Sequence, residues 1–241
     1  MKFKSIPILL GLGCLALQAF GQKKAALPAS TFSIGISHDN VFGFYPAVYG
    51  SFGVKENLSF TYYGILWTNP SFGHVQTGRD SWLKTGFGLG IPLGEGRWYL
   101  NPTLALTHGK LLSGGAQGVI ADGIVPGMTT LYNDEVLELE AFGCWYKALR
   151  KEGLFTYDYA LYWLLPGFHI TPKISAGLHY EGFNLTRATK MSAQTQYQVA
   201  GAYLKFLVDG RYSFRLSLGK NFKVDNYPCE FYKLNVFVPL L

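Results

Sequence analysis

Charge is scarce in this chain. Only 15% of its 241 residues are Asp, Glu, Lys or Arg, against roughly 25% in an ordinary soluble domain. That is too little to coat a water-facing surface in the usual way. Cysteine is scarce too: three residues exclude a disulfide scaffold. Long apolar runs are missing after Gln22, where the longest, Tyr159–Phe168, is broken by Pro166 and Gly167. A transmembrane helix needs about 20 apolar residues, so none is expected. What is abundant is glycine (29 residues) and aromatic side chains (16%). Disordered chains have few aromatics and much charge, so disorder is excluded as well.

The first 21 residues read as an address. Lys2 and Lys4 precede an apolar stretch, Ile6–Leu17, and Ala19-Phe20-Gly21 supplies small residues at a cleavage site before Gln22. This is the pattern of a secretory signal peptide. Cys14 sits inside the apolar stretch, behind Gly13, and is read as part of the discarded leader. Without Lys2 and Lys4 the formal charge falls from +6 to +4. That is too mild to argue for nucleic acid, so no nucleic-acid partner is expected.

The rest of the chain alternates with a period of two, the signature of strands. Tyr232, Leu234, Val236, Val238 and Leu240 share one face, opposite Lys233, Asn235 and Phe237. Tyr212, Phe214, Leu216 and Leu218 face away from Ser213, Arg215, Ser217, Gly219 and Asn221. Trp98, Leu100, Leu104 and Leu106 oppose Tyr99, Asn101, Thr103 and Thr107. Between Phe155 and Leu165 the apolar face is Tyr157, Tyr159, Leu161, Trp163 and Leu165, opposite Asp158, Ala160 and Tyr162. About twelve such segments are expected, near 31–38, 42–54, 57–68, 81–93, 97–108, 118–132, 135–148, 154–168, 173–184, 195–208, 211–222 and 231–240; ten or fourteen strands stay open.

Tight turns at 55–57, 94–96, 133–134, 171–172 and 209–210 carry the Gly, Asn, Asp and Pro such turns need. They interleave with mostly longer connections, notably 69–80, 109–117, 185–194 and 223–230. Short turns at one end and long loops at the other mark an antiparallel transmembrane barrel. A soluble barrel would carry Lys and Glu outside, yet the polar faces here are mostly Gly, Ser, Thr, Asn and Tyr. Trp67, Trp82, Trp98, Tyr132, Trp163, Tyr212 and Tyr232 fall near strand ends, as an interfacial girdle requires. The expected organisation is a signal peptide (1–21), a periplasmic segment (22–30) and an all-β, antiparallel, up-and-down barrel (31–241).

The chain resembles the small outer-membrane β-barrel proteins of Gram-negative bacteria. The resemblance covers residues 31–241 and includes the last strand, Phe231–Leu241, similar to the C-terminal signal read by the barrel-assembly machinery. That signal usually ends in an aromatic, whereas this chain ends Val238-Pro239-Leu240-Leu241. Segments 102–115 (PTLALTHGKLLSGG), 123–126 (GIVP) and 231–234 (FYKL) resemble a functionally uncharacterised family of such barrels. The resemblance implies outer-membrane lipid, lipopolysaccharide and the assembly machinery as partners, and an exported, outer-membrane protein.

If the apolar faces meet lipid, the other faces line a lumen. That places Glu138, Glu140, Asp158, His179 and Glu181 inside on strands seven to nine, and Lys84, Lys205, Arg215 and Lys233 inside on strands four, ten, eleven and twelve. A charged Arg or Lys on the lipid side would cost about 2–4 kcal/mol at mid-membrane. Two readings follow. Either an acidic sector beside a basic one sets the selectivity of a narrow passive channel for small polar or charged solutes, or the charges pair across the interior and fill it, as in a closed structural or surface-binding barrel.

Catalytic readings are weaker. A hydrolase needs a nucleophile beside a base and its orienter. Glu181 could orient His179, but nothing nearby in sequence supplies a nucleophile. His108 with Ser113 has no diagnostic spacing, so a lipid-modifying enzyme is the least favoured class. His74 and Asp80 make only two loose metal ligands. The glycine-rich stretch 111–118 lacks the ending of a phosphate loop and is read as a flexible outer loop. No cofactor or metal is implied. Cys144 and Cys229 are expected far apart and unpaired.

Overall fold

The computed structural model describes residues 30–68, 82–209, 211–223 and 227–240. The expected leader, nearly all of the segment 22–30, and His74 and Asp80 lie outside them. Twelve strands run in order: β1 (Thr31–Asp39), β2 (Gly43–Lys55), β3 (Leu58–Trp67), β4 (Trp82–Leu93), β5 (Trp98–Gly109), β6 (Val119–Asn133), β7 (Leu137–Ala148), β8 (Tyr157–Thr171), β9 (Ile174–Ala188), β10 (Gln194–Val208), β11 (Tyr212–Asn221) and β12 (Glu230–Pro239). Every neighbour in sequence pairs antiparallel, and β1 closes on β12 from Ser33↔Pro239 to Asp39↔Lys233. The fold is an all-β, closed, up-and-down barrel, as the alternation predicts.

Closure has a physical reason. Lipid offers backbone groups no hydrogen-bond partners, so a sheet can cross it only with both edges of every strand paired. The strands hold 9 to 15 residues, enough to cross a bilayer at a tilt. The outer surface agrees with that setting. Phe52, Phe60, Phe87, Leu104, Leu204 and Leu216 all point outward and are exposed.

The strand ends joined through 56–57, 94–97, 134–136, 172–173 and 209–211 lie at one end. The strand ends on either side of 40–42, 68–81, 110–118, 149–156, 189–193 and 222–229 lie at the other. These are called the turn end and the loop end below. The β6–β7 turn shows how such a corner is held. Asp134 accepts hydrogen bonds from the Val136 and Leu137 amides at 2.8 and 2.7 Å and from the Tyr132 hydroxyl.

β8 departs from the expected facing. Its odd face, Leu161, Trp163 and Leu165, turns into the barrel, while Leu164 and Phe168 face out and are exposed. Both faces of this strand are apolar, so alternation does not tell them apart. Asp158 therefore falls in step with Leu164, on the outer face at the loop end. There it accepts the Ala148 amide at 2.9 Å and pairs with Arg187 at 2.8 Å. Opposite it the ladder slips by one residue, Asp158 pairing with Arg187 and Tyr159 with Leu185.

The expected girdle also splits. Trp98, Tyr132, Tyr212 and Tyr232 share the parity of lipid-facing neighbours. Trp67, Trp82 and Trp163 point into the barrel instead. Trp67 and Trp82 stack at 3.9 Å between ring centroids, and the Trp163 indole donates to Glu140 at 2.9 Å. A buried indole N–H needs such a partner.

Candidate functional site: the barrel interior

Alternation delivers a set of charged side chains to the interior, and there they meet in pairs. Glu138 on β7 receives Lys205 of β10, the Tyr203 hydroxyl at 2.7 Å and the Ser175 hydroxyl at 3.3 Å. Glu140, two residues on, receives Arg215 of β11 at 2.6 Å besides the Trp163 indole. Glu181 on β9 receives Lys233 of β12 at 2.7 Å, His179 at 3.0 Å and the Tyr197 hydroxyl at 2.6 Å. Lys233 also lies 3.7 Å from Asp39. The two sectors expected on β7–β9 and β10–β12 therefore do not stand apart. The barrel is narrow enough for long side chains to join them, and burying either partner alone would be costly. Side-chain exposure falls from Glu140 at 29% and Lys205 at 28% to Glu181 at 1%.

Asp39 is the acidic residue that sequence reading missed. It closes β1 on the parity of Ser33, Gly35 and Ser37, all polar or small, and that pattern was a usable signal. Its carboxylate is completely buried. One oxygen accepts the amides of Val41 and Phe42, and the other accepts the Tyr45 hydroxyl at 2.7 Å. This turns the three-residue β1–β2 connection inward. The Phe42 ring enters the barrel and meets Phe183 at 5.7 Å and Tyr197 at 5.8 Å.

The loop end is closed further by the 110–118 connection. Expected to be a flexible outer loop, its 111–113 stretch folds into the mouth instead. Leu112 is completely buried. Both oxygens of Asp122 hold it down, accepting the Leu112 and Ser113 amides at 2.8 Å each. The neighbouring connection joins in, with the Glu152 and Gly153 amides donating to the Ser113 carbonyl at 3.1 Å.

Among the described residues the interior keeps at least two cavities. One, of about 430 Å³, lies at the loop end and reaches Lys110, Gln196 and Tyr227. Another, of about 520 Å³, lies below it and is lined by the charged residues Lys84, Glu140, Glu181, Arg215 and Lys233. Phe42, Trp67 and Leu161 border both. They form the narrow waist between the two spaces.

Lys84 differs from the other interior cations. It is buried, and among the described residues no carboxylate pairs with it. Its ammonium donates to the Tyr146 hydroxyl at 3.1 Å and lies over the rings of Tyr63, Trp67, Phe142 and Tyr146 at 5.1 to 5.6 Å. Gly86, one step along the same face, makes room for the cage; a Cβ there would come within 2.7 Å of the Tyr63 ring.

The catalytic candidates are otherwise engaged. The His179 Nε2 faces Glu181. The His108 Nε2 faces the Thr85 hydroxyl at 3.0 Å, and its Nδ1 accepts the Ala121 amide at 3.3 Å. Cys144 is buried and free, and Cys229 is exposed and free. Among the described residues no group of three or more His, Cys, Asp or Glu is placed to hold a metal.

Residues 1–240 match the family of unknown function DUF6733, and the chain belongs to that family. No curated protein shows significant sequence similarity to it. Solved structures show similar folds. A COG4313 outer membrane channel from Pseudomonas putida F1 superposes with a TM-score of 0.58 at 14% identity, covering 92% of this chain and 100% of that one. The NanC porin gives 0.52 at 8% identity over 86% of this chain and 98% of that one. The KdgM porin gives 0.50 at 10% identity over the same shares. At these identities the likeness is one of fold.

Proposed function

We propose that this member of the family lies in the bacterial outer membrane, after removal of residues 1–21, and is a narrow passive channel for small polar or charged solutes. The observation that carries the reading is the chamber of about 520 Å³ inside a closed barrel, lined by charged side chains. The charges pair across the barrel, yet they leave this chamber unfilled. The fold it shares with a channel and two porins supports the same reading. No catalytic role is assigned: the His179 Nε2 is taken by Glu181, and the His108 Nδ1 accepts the Ala121 amide, which puts the ring proton on the Nε2 that faces Thr85 and leaves no base there.

A second reading, a closed surface or structural barrel, is favoured by the aromatic waist at the loop end. Planar-bilayer recording separates the two. Wild-type protein is expected to give small unitary currents. Phe42→Ala, which removes one of the two rings that border both cavities, is expected to raise them at least twofold. If neither protein conducts under conditions where a known porin does, the channel reading is wrong and the closed barrel stands.

A further inference from the structure

We infer that Lys84 anchors a binding site in the lower chamber for a small organic monocarboxylate. The inference deepens the channel reading and rests on it for the route by which the solute arrives. Every interior carboxylate near the chamber is already served. Glu181 accepts from three groups, Asp39 from three with Lys233 a further 3.7 Å ion pair, and Glu140 from Arg215 and Trp163. Lys84 is not. An ammonium has three N–H donors, and only one has a hydrogen-bond acceptor, the Tyr146 hydroxyl. The four rings around it stabilise its charge but accept no conventional hydrogen bond.

The second observation is the supply of donors elsewhere in the chamber. The Nε of Arg215 is buried and without a partner, although its terminal nitrogens bind Glu140. A chamber with N–H groups to spare and its carboxylates saturated suits a ligand that brings acceptor oxygens and a negative charge. The remaining wall sets the body of that ligand. Ile65, Leu161, Leu165 and Phe142 contribute apolar carbon, and Thr103 and Thr129 contribute hydroxyl-bearing side chains. A carboxylate on a short apolar chain satisfies both parts: the head takes the free donors of Lys84 and the tail lies on the apolar wall. Cavities of roughly 300–1,000 Å³ hold ligands of this kind.

Calorimetry on the purified, folded barrel in detergent tests this with three probes of one length: hexanoate, hexan-1-ol and hexylammonium. Hexanoate is expected to bind at one site per chain, at least about tenfold tighter than hexan-1-ol, the factor that one hydrogen bond to a charged group supplies. Hexylammonium is expected not to bind. Lys84→Met should lose at least tenfold for hexanoate, while Lys84→Arg keeps the preference for hexanoate over the alcohol. Equal binding of the acid and the amine by the wild type would overturn the proposal without recourse to any variant. So would full-strength hexanoate binding to Lys84→Met that has kept its folded mobility on unheated gels. Bilayer recording separates this from the channel reading. Lys84-dependent binding without current sinks the channel alone; current without Lys84-dependent binding or block sinks the site alone.

Discussion

Glu181→Gln is the sharpest test of the paired interior. The carboxylate is 1% exposed and receives Lys233, His179 and Tyr197. Glutamine keeps the volume but loses the charge, and its amide turns an N–H₂ toward a group that is itself a donor. Removing one partner of a buried ion pair costs about 3–5 kcal/mol, because the other charge stays buried without compensation. Lys233 retains Asp39 at 3.7 Å, so part of that cost is recovered, and a loss of about 2–4 kcal/mol is expected on this basis. Guanidinium unfolding in lipid vesicles measures it, followed by tryptophan fluorescence, since Trp67, Trp82 and Trp163 face the interior. Lys233→Met strands Glu181 and Asp39 together, so adding Glu181→Gln to it should recover part of its loss by removing one of the two stranded carboxylates. Coupling of that kind is the signature of direct contact. A single-variant loss below about 0.5 kcal/mol, the range of an ordinary surface change, together with additive double-variant behaviour, would refute the paired interior.

Other expectations follow from the same contacts. Asp122→Ala removes the acceptor of two buried amides, so trypsin should cut after Lys110 at least about tenfold faster as the connection opens locally; an unchanged rate would show that the carboxylate does not hold it. Asp134 has its carboxyl pulled down to about 2 by the Tyr132 hydroxyl, then by the Leu137 and Val136 amides. Its contribution to the β6–β7 turn is therefore complete above the ordinary carboxylate range, near 4, and is lost as pH falls through about 2. Asp134→Asn should abolish that acid-dependent step in a pH series of melting temperatures, and a step of the same size in both proteins would exclude Asp134 as its origin. Glu140→Gln with Arg215→Met removes an equal and opposite pair, so unitary current should rise while the reversal potential in a salt gradient stays within a few millivolts. Lys84→Met should move that potential toward cation preference, and the reverse ranking would contradict the assignment of free and paired charge.

The architecture was legible because lipid and lumen make opposite demands on alternate residues. Where the outer face was Leu and Phe and the inner face Ser, Gly or a charge, as on β11, facing could be read directly. β8 failed the same test for a physical reason. Its lumen face carries Leu161, Trp163 and Leu165 because it sits against the aromatic waist, so neither face is polar and Asp158 was carried inward by assumption. The tryptophans misled in a related way. Trp67, Trp82 and Trp163 lie near strand ends, but an indole can be satisfied by a carboxylate in the lumen as well as by a headgroup. Pairing partners were beyond the sequence altogether. Glu138 and Lys205 are 67 residues apart, and their meeting depends on barrel width and on the relative heights of β7 and β10. The inward turn at Phe42 depends on one carboxylate, Asp39, whose facing could be read from strand parity but whose amide partners in the connection could not.

Pairing changes what each interior charge can do to a passing ion. At about 8 Å and an effective dielectric constant of about 20, one unpaired charge exerts about 2 kcal/mol on a unit ion. An opposite charge about 4 Å behind it cuts this to about 0.7 kcal/mol. The dielectric constant cancels in the ratio, so the threefold difference survives whether the lumen is wet or dry. Arg215 and Lys233 are each within 2.7 Å of a carboxylate oxygen, and Lys205 is also ion-paired, so all three act on a solute as the weaker, dipolar kind. Their main effect is steric: long side chains joined across the barrel narrow the path and hold the wall in register. Lys84 acts as the stronger kind, since it lies among rings and a hydroxyl and has no carboxylate behind it. Asp39 and Glu181 share Lys233 and keep one negative charge in excess, so the chamber's field is set by two opposed charges, that excess beside β12 and Lys84 on β4.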